Sequence, residues 1–234
     1  MNSPARATLM LIDSCASTNS AIDRNAPHGF ALMAREQTAG RGQRGNSWEA
    51  EAGKNITLSL ILRPVELPAA RQFELSEAVA LAVADTVESL GIDRVSVKWP
   101  NDIYVGDRKI AGILIENALG GTYISRSIVG IGLNVNQREF HSDAPNPVSA
   151  LQLTGREYDI EEVAGQMIQR ILDRLNRDNH AEYRRRLWRG TGVWPWRTTE
   201  GETFSAAIES VDPDGHLRLT GHPPFAFKQI HPII

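Results

Sequence analysis

Cysteine is almost absent from this chain of 234 residues: Cys15 stands alone, so no intramolecular disulfide can form and a reducing compartment is the natural setting. The histidines (His28, His141, His180, His216, His222, His231) are scattered, with no His-Glu-x-x-His or Cys-x-x-Cys spacing, so neither a structural nor a catalytic zinc is expected. No stretch approaches the roughly 18 apolar residues of a membrane span, and Leu9 to Ile12 is stopped by Asp13, too short for a signal-peptide core. A cytoplasmic protein with no membrane partner is expected. Excess charge is missing as well: a net charge of −3 gives no long-range attraction to nucleic acid or anionic membrane, so any positive potential must be local, in a pocket. Gly-x-x-x-x-Gly-Lys-Ser/Thr is absent, and Gly40-Arg41-Gly42 does not match the dinucleotide fingerprint. What remains, 41% hydrophobic and 23% charged residues, is enough for a real core in one large domain, or one domain plus a small appendage.

The stretch Gln37 to Trp48 stands out against that background. Its three glycines and two arginines exclude a packed helix or strand and predict a loop. Glycines let backbone N–H groups come close to an anion, and Arg41 and Arg44 add planar donors that match phosphate or carboxylate oxygens. A basic surface loop without a ligand is the alternative.

In chain order, Ala7 to Asp13 reads as a strand, and Ser17-Thr18-Asn19 as the capping start of a helix or, alternatively, as polar groups facing a ligand. Phe30 to Arg35 is a second strand. Asn55 to Leu62 alternates, with Ile56, Leu58, Leu60 and Leu62 on one face, which predicts a half-buried strand. Helical spacing runs from about Ala69 to Leu90, where Gly91 terminates it. Val95 to Trp99 is a strand, and Ile103 to Val105 turns through Gly106-Asp107 into Lys109 to Glu116 as a hairpin. Tyr123 to Val135 is a strand in which Gly130 and Gly132 mark a close approach. Glu161 to about Leu187 reads as one long helix. At Gly190 the pattern changes to short strands broken by turns, which predicts two units, 1–189 and 190–234, the second a small antiparallel barrel docked on the first.

Polar or glycine residues crowd the strand ends at Ser17 to Asn19, Gln37 to Trp48, Lys98 to Lys109 and Gly130 to Asn134. Taken singly, Lys109 reads equally as a solvated edge residue, and Trp48 or Trp99 as core. Together, Gly40 to Trp48, Lys98-Trp99-Pro100-Asn101-Asp102, Asp107 to Glu116 and Gly130-Ile131-Gly132-Leu133-Asn134-Val135-Asn136 resemble the motifs of the biotin protein ligases, in the same order. The resemblance runs from about Ser14 to Asn136. It implies an α+β fold, a mixed and mainly antiparallel sheet flanked by helices of class II synthetase type, with an SH3-like β-barrel at the C-terminus. It also implies a ligase that joins biotin to ATP as biotinyl-5'-AMP and passes the biotin to a lysine of a biotin carboxyl carrier protein.

For single residues the resemblance implies Lys109 and Arg41 as catalytic groups. Ser17, Thr18, Asn19, Gln37, Gly40, Arg41, Lys109, Gly112 and Gly130 would form the biotin site. Gly42, Gln43, Arg44, Trp48, Asn101, Asp102, Lys109 and Asn134 would form the ATP site, with Asp102 near Mg²⁺. Gln43 and Asn46 depart from the family's usual basic residues in the loop. With the first strand starting by about Leu9, a preceding helix-turn-helix and DNA binding are not expected, and either a monomer or a homodimer is compatible with the family. A lipoate-type acyltransferase and a biotin sensor without turnover stand as rival readings.

Overall fold

The alternation of Ile56, Leu58, Leu60 and Leu62 belongs to a strand near the middle of a large sheet. In the computed structural model, which describes residues 7–64, 66–141, 146–175 and 177–233, the seven strands are β1 (Thr8–Cys15), β2 (Phe30–Gln37), β3 (Ile56–Leu62), β4 (Val95–Lys98), β5 (Asp102–Val105), β6 (Arg108–Gly120) and β7 (Tyr123–Leu133). They lie in the order β1-β2-β3-β7-β6-β5-β4. Only β1 and β2 run parallel, joined across the short helix α1 (Thr18–Ala21); the other pairings are antiparallel. The sheet is therefore mixed and mainly antiparallel, as expected.

Helices α2 (Phe73–Ser89), α3 (Ala150–Thr154), α4 (Ile160–Arg174) and α5 (His180–Arg185) complete this part of the chain. α2 is apolar almost all round because it packs between the sheet, α4 and α5, and Gly91, at φ +83°, follows its end. β3 corrects the half-buried reading, since all seven of its residues are buried. The alternation is real, but both faces are covered: Ile56, Leu58, Leu60 and Leu62 join the main core, while Ile61 packs with Ile22, Ala26, Leu32 and Ile128.

The single helix read over 161–187 is also corrected, for α4 ends at Arg174 and α5 begins at His180. Buried Asn179 causes the break: its side-chain amide donates to the carbonyls of Arg174 (3.0 Å) and Arg177 (2.9 Å), capping carbonyls that a continuing helix would have used. The sequence reading passed over α3, although Ser149 and Gln152 form a complete capping box there.

Beyond Gly190 the chain forms β8 (Trp194–Thr198), β9 (Thr203–Ala206), β10 (Ile208–Val211), β11 (Leu217–Leu219) and β12 (Ile230–Pro232), arranged in two small antiparallel sheets, β12-β8-β9 and β10-β11. Trp196, Val211, Leu217, Leu219 and Ile230 belong to the same core as the large sheet. The backbone N–H of Phe73 donates to Pro213 O (3.1 Å), and Trp99 Nε1 donates to Gly215 O (3.0 Å).

Candidate active site

The segment read as a loop closes on itself. The Trp48 N–H donates to Gly40 O (3.0 Å) and the Gly42 N–H to Asn46 O (2.7 Å), around a 3-10 turn at Gln43–Gly45. A Cβ at Gly40 would stand 2.5 Å from Trp48 O, so only glycine permits the closure. This flap lays Trp48 on the sheet, over Gly132 and Gly112, where Cβ atoms would stand 2.2 and 3.0 Å from its ring. The Trp48 indole N–H is buried and has no hydrogen-bond partner among the described residues.

Lys109 is placed by backbone pairing on both sides. Tyr104 is its register partner across the hairpin, and on the other side its N–H donates to Asn146 O and its carbonyl accepts from the Val148 N–H, both at 2.9 Å. A bulge between Ile103 and Tyr104 shifts the register so that Asp102 faces Gly112, and Lys109 Nζ lies 2.7 Å from Asp102 Oδ1. The ammonium sits 5.6 Å from the centre of the Trp48 ring, beneath the flap.

The third wall is Ser17 to Asn19, which is buried. The capping reading is corrected here: Ser17 occupies the N-cap position of α1 but makes no side-chain cap bond. Gln37 Oε1 accepts from the Thr18 N–H (2.7 Å) and hydroxyl (3.1 Å), and the buried Ser59 hydroxyl lies 2.8 Å from Thr18 Oγ1. Asn19 crosses Gly130, where a Cβ would meet its Oδ1 at 2.3 Å, and donates through Nδ2 to Glu116 Oε2 (3.0 Å). The other Glu116 oxygen accepts from Arg41 Nη2 (3.1 Å), so one carboxylate ties the flap to this wall.

These walls enclose a cleft of about 870 Å³. Ser17, Thr18, Asn19, Gln37, Arg41, Gly42, Gln43, Trp48, Asn101, Asp102, Lys109, Gly112 and Gly130 all line it. Gly40, at the base of the flap, is not part of the lining. Asn134 is buried outside the lining, with Nδ2 donating to Val148 O (3.1 Å) and Oδ1 unpaired among the described residues. Of Arg44 only the backbone, in the 3-10 turn, is described; its side chain lies outside the described residues. Asn101 also staples the sheet, donating from Nδ2 to Ile113 O (2.8 Å).

The sequence reading missed Ser59 and Glu116, which act from behind the walls. It also missed Lys98 and Tyr104, and the tail residues Phe227, Lys228 and His231, which line the cleft. Lys98 stood inside a quoted motif and could have been found there; the tail residues carry no local signal. Among the described lining residues the cations are Arg41, Lys98, Lys109 and Lys228, against the single carboxylate of Asp102. A chain of net charge −3 thus concentrates positive potential in one cavity. Burial pushes the Lys98 ammonium below its ordinary value; Asp102 pulls it back, while Lys109 and Arg189 push it further down. The Tyr104 phenol is pushed up, first by burial and then by Asp102 and Asp107, and stays neutral.

Comparison with known proteins agrees with this geometry. The profile described as the Biotin/lipoate A/B protein ligase family matches residues 12–134, and the chain belongs to that family. It is 35% identical over 201 residues to the Biotin--[acetyl-CoA-carboxylase] ligase of Mycobacterium tuberculosis, covering 82% of this chain and 73% of that one. It is 34% identical over 148 residues to the Bifunctional ligase/repressor BirA of Bacillus subtilis, covering 63% of this chain. The chain spans 35% to 44% of the length of the bifunctional ligase/repressors of Bacillus, Salmonella and Escherichia. Its fold is shared with the biotin protein ligase of Aquifex aeolicus solved with biotin and ATP, at a TM-score of 0.79 and 23% identity over 96% of this chain and 98% of that one.

Proposed function

We propose that this protein is a biotin–protein ligase, which condenses biotin with ATP to biotinyl-5'-AMP and pyrophosphate and then transfers biotin to a lysine of a biotin carboxyl carrier protein. The observation that carries this reading is the convergence of Lys109, the flap Gly40 to Trp48 and the Ser17–Asn19 wall on one cleft. Biotin's ureido ring is neutral and polar, so a buried site must pair its N–H and C=O groups or lose affinity. Ser17, Thr18, Asn19 and Gln37 supply both donors and acceptors for that task.

Biotin's carboxylate must then approach the α-phosphate of ATP, and two anions repel. In this reading the Lys109 ammonium touches both, and its contribution rises as charge builds in the transition state. Arg41 adds its charge at the biotin side, and Gly42, Gln43 and Arg44 are assigned to the nucleotide in this reading, with the unpaired Trp48 N–H as a donor to the bound intermediate. Closure of the flap keeps water from the mixed anhydride. Gly112 and Gly130 line the biotin side in this reading, their missing side chains letting Trp48 and Asn19 close on it, and Gly40 contributes by permitting the flap to fold. In this reading the buried Asn134 takes the adenine, while Asn101 stands with Asp102 near the phosphates.

Asp102 fits Mg²⁺ as its one protein carboxylate, since this ion is commonly held by one or two carboxylates, phosphate oxygens and water. When bound, Mg²⁺ would neutralise part of the triphosphate charge. Among the described residues no cluster of three acidic, His or Cys side chains competes for that role. The reading further divides the chain into a catalytic unit, 1–189, of class II synthetase type and a tail, 190–234, of SH3-like type, whose Lys228 and His231 close the cleft from the far side. It places the activity in the cytoplasm, in keeping with the single thiol.

The test is incubation with ATP, Mg²⁺, biotin and a carrier domain, read by mass, with biotin-dependent ATP–pyrophosphate exchange in parallel. Lys109→Ala is expected to abolish exchange while the circular dichroism spectrum is unchanged. Octanoyl or lipoyl transfer without biotinylation, or biotin binding without pyrophosphate release, would overturn the reading.

A further inference from the structure

We infer that Lys98 is a second catalytic lysine, one that holds the β- and γ-phosphates of ATP and the pyrophosphate that leaves. The inference rests on the ligase reading above. Lys98 ends β4 directly opposite Asp102, and Asp102 lies opposite Gly112 on β6. The sheet therefore sets two ammonium groups on one wall of the cleft with a single carboxylate to share. That carboxylate contacts Lys109 at 2.7 Å. Lys98 Nζ instead donates to the phenol of Tyr104 (3.0 Å), and among the described residues no carboxylate lies within ion-pair distance of it.

Aromatic faces hold the group in place, the ammonium being 4.8 Å from the centre of the Tyr104 ring and 5.9 Å from that of Trp188. A half-buried cation that is fixed in position and makes no direct ion pair is only partly compensated and is relieved by an incoming polyanion. Arg41, by contrast, already contacts Glu116. The chemistry requires such a group. A biotin carboxylate oxygen forms a bond to the α-phosphorus while the bond from that phosphorus to the α–β bridging oxygen breaks. The bridging oxygen departs with pyrophosphate and carries the electron pair; no proton moves. Negative charge thus accumulates one phosphate beyond the reach assigned to Lys109, and Lys98 is the neighbouring ammonium on the same wall.

Each half-reaction is measured on the full chain: biotin-dependent ATP–pyrophosphate exchange, and transfer to a carrier domain from synthetic biotinyl-5'-AMP. Lys98→Met is expected to slow exchange about ten- to a hundredfold, the factor carried by one charge-assisted contact, and to raise KM for ATP and pyrophosphate. Transfer from the supplied adenylate should stay at the natural rate, and Lys98→Arg should recover part of the exchange. Normal exchange by a folded Lys98→Met, loss of transfer alone, or equal loss of both steps each overturns the assignment. Absence of exchange in the natural chain overturns the ligase reading instead. Should Lys98→Met fail to fold, the natural chain answers: pyrophosphate is expected to shield Lys98 from reductive methylation, mapped by peptide mass, and an unshielded Lys98 refutes the role.

Discussion

Gly130 and Gly132 decide how closely two walls of the cleft lie on β7, because a methyl group at either would overlap a neighbour, Asn19 Oδ1 at 2.3 Å or the Trp48 ring at 2.2 Å. The two contacts are to different walls of the cleft, so the variants should separate. Gly132→Ala is expected to tip Trp48 out and raise KM for ATP about tenfold, a cost of about 1.4 kcal/mol, with little change in biotin affinity. Gly130→Ala should displace Asn19 and weaken biotin by a similar factor, read by calorimetry. Equal loss of both ligands in both variants would show that the cleft does not divide this way. Part of this was legible in the chain itself: glycine inside an apolar strand announces a close approach. What approaches was not, because Trp48 and Asn19 arrive from distant segments. The same holds for Glu116, whose carboxylate joins Arg41 to Asn19 across three separate stretches of sequence.

Among the elements, the break between α4 and α5 matters for stability more than for chemistry. Apolar spacing continued through Leu175, and the sequence reading carried one helix across the break. Asn179 and Arg174 undo it: Arg174 bonds Asp85, Asn179 and Glu182 at once, and Arg186 adds a second contact to Asp85. No periodicity announces such a network, since its members come from α2, α4 and α5. Arg174→Met should cost about 1–3 kcal/mol, less than a fully buried pair because Asp85 and Glu182 are 27% and 34% exposed. Arg174 holds the Glu182 carboxyl below its ordinary 4.5, so this stabilisation is complete above that value and is lost as pH falls through the lower, folded value. The Tm gap between the natural chain and Arg174→Met should therefore narrow as pH drops below about 4.5. A gap that is constant from pH 7 to pH 3 would mean that packing, and not charge, is what Arg174 supplies.

For the molecule as a whole, the question is whether residues after Gly190 are an appendage or part of one body. Turn chemistry made the change of character at Gly190 readable, but not the shared core, since Trp196, Leu217 and Ile230 meet the large sheet only after the chain has folded. Deletion at Gly190 should then do more than remove a lid: it strips cover from Phe73 and Trp99, and broad, non-cooperative melting with aggregation is expected. A milder change keeps the body intact. Gly215 sits at φ +98° with its carbonyl on Trp99 Nε1, and a Cβ there would stand 2.8 Å from Phe73 Cδ2. Gly215→Ala adds about 1–2 kcal/mol of backbone strain and moves this turn off both aromatic rings. Phe227, edge-on to Trp99 at 6.0 Å, would shift with it, and so would Lys228 at the rim of the cleft. The expected result is a chain that still melts cooperatively at a lower Tm, with KM for ATP raised and biotin affinity unchanged. Should the deleted chain instead melt cooperatively at the Tm of the full one, the tail is a separate body and its residues in the cleft are bystanders.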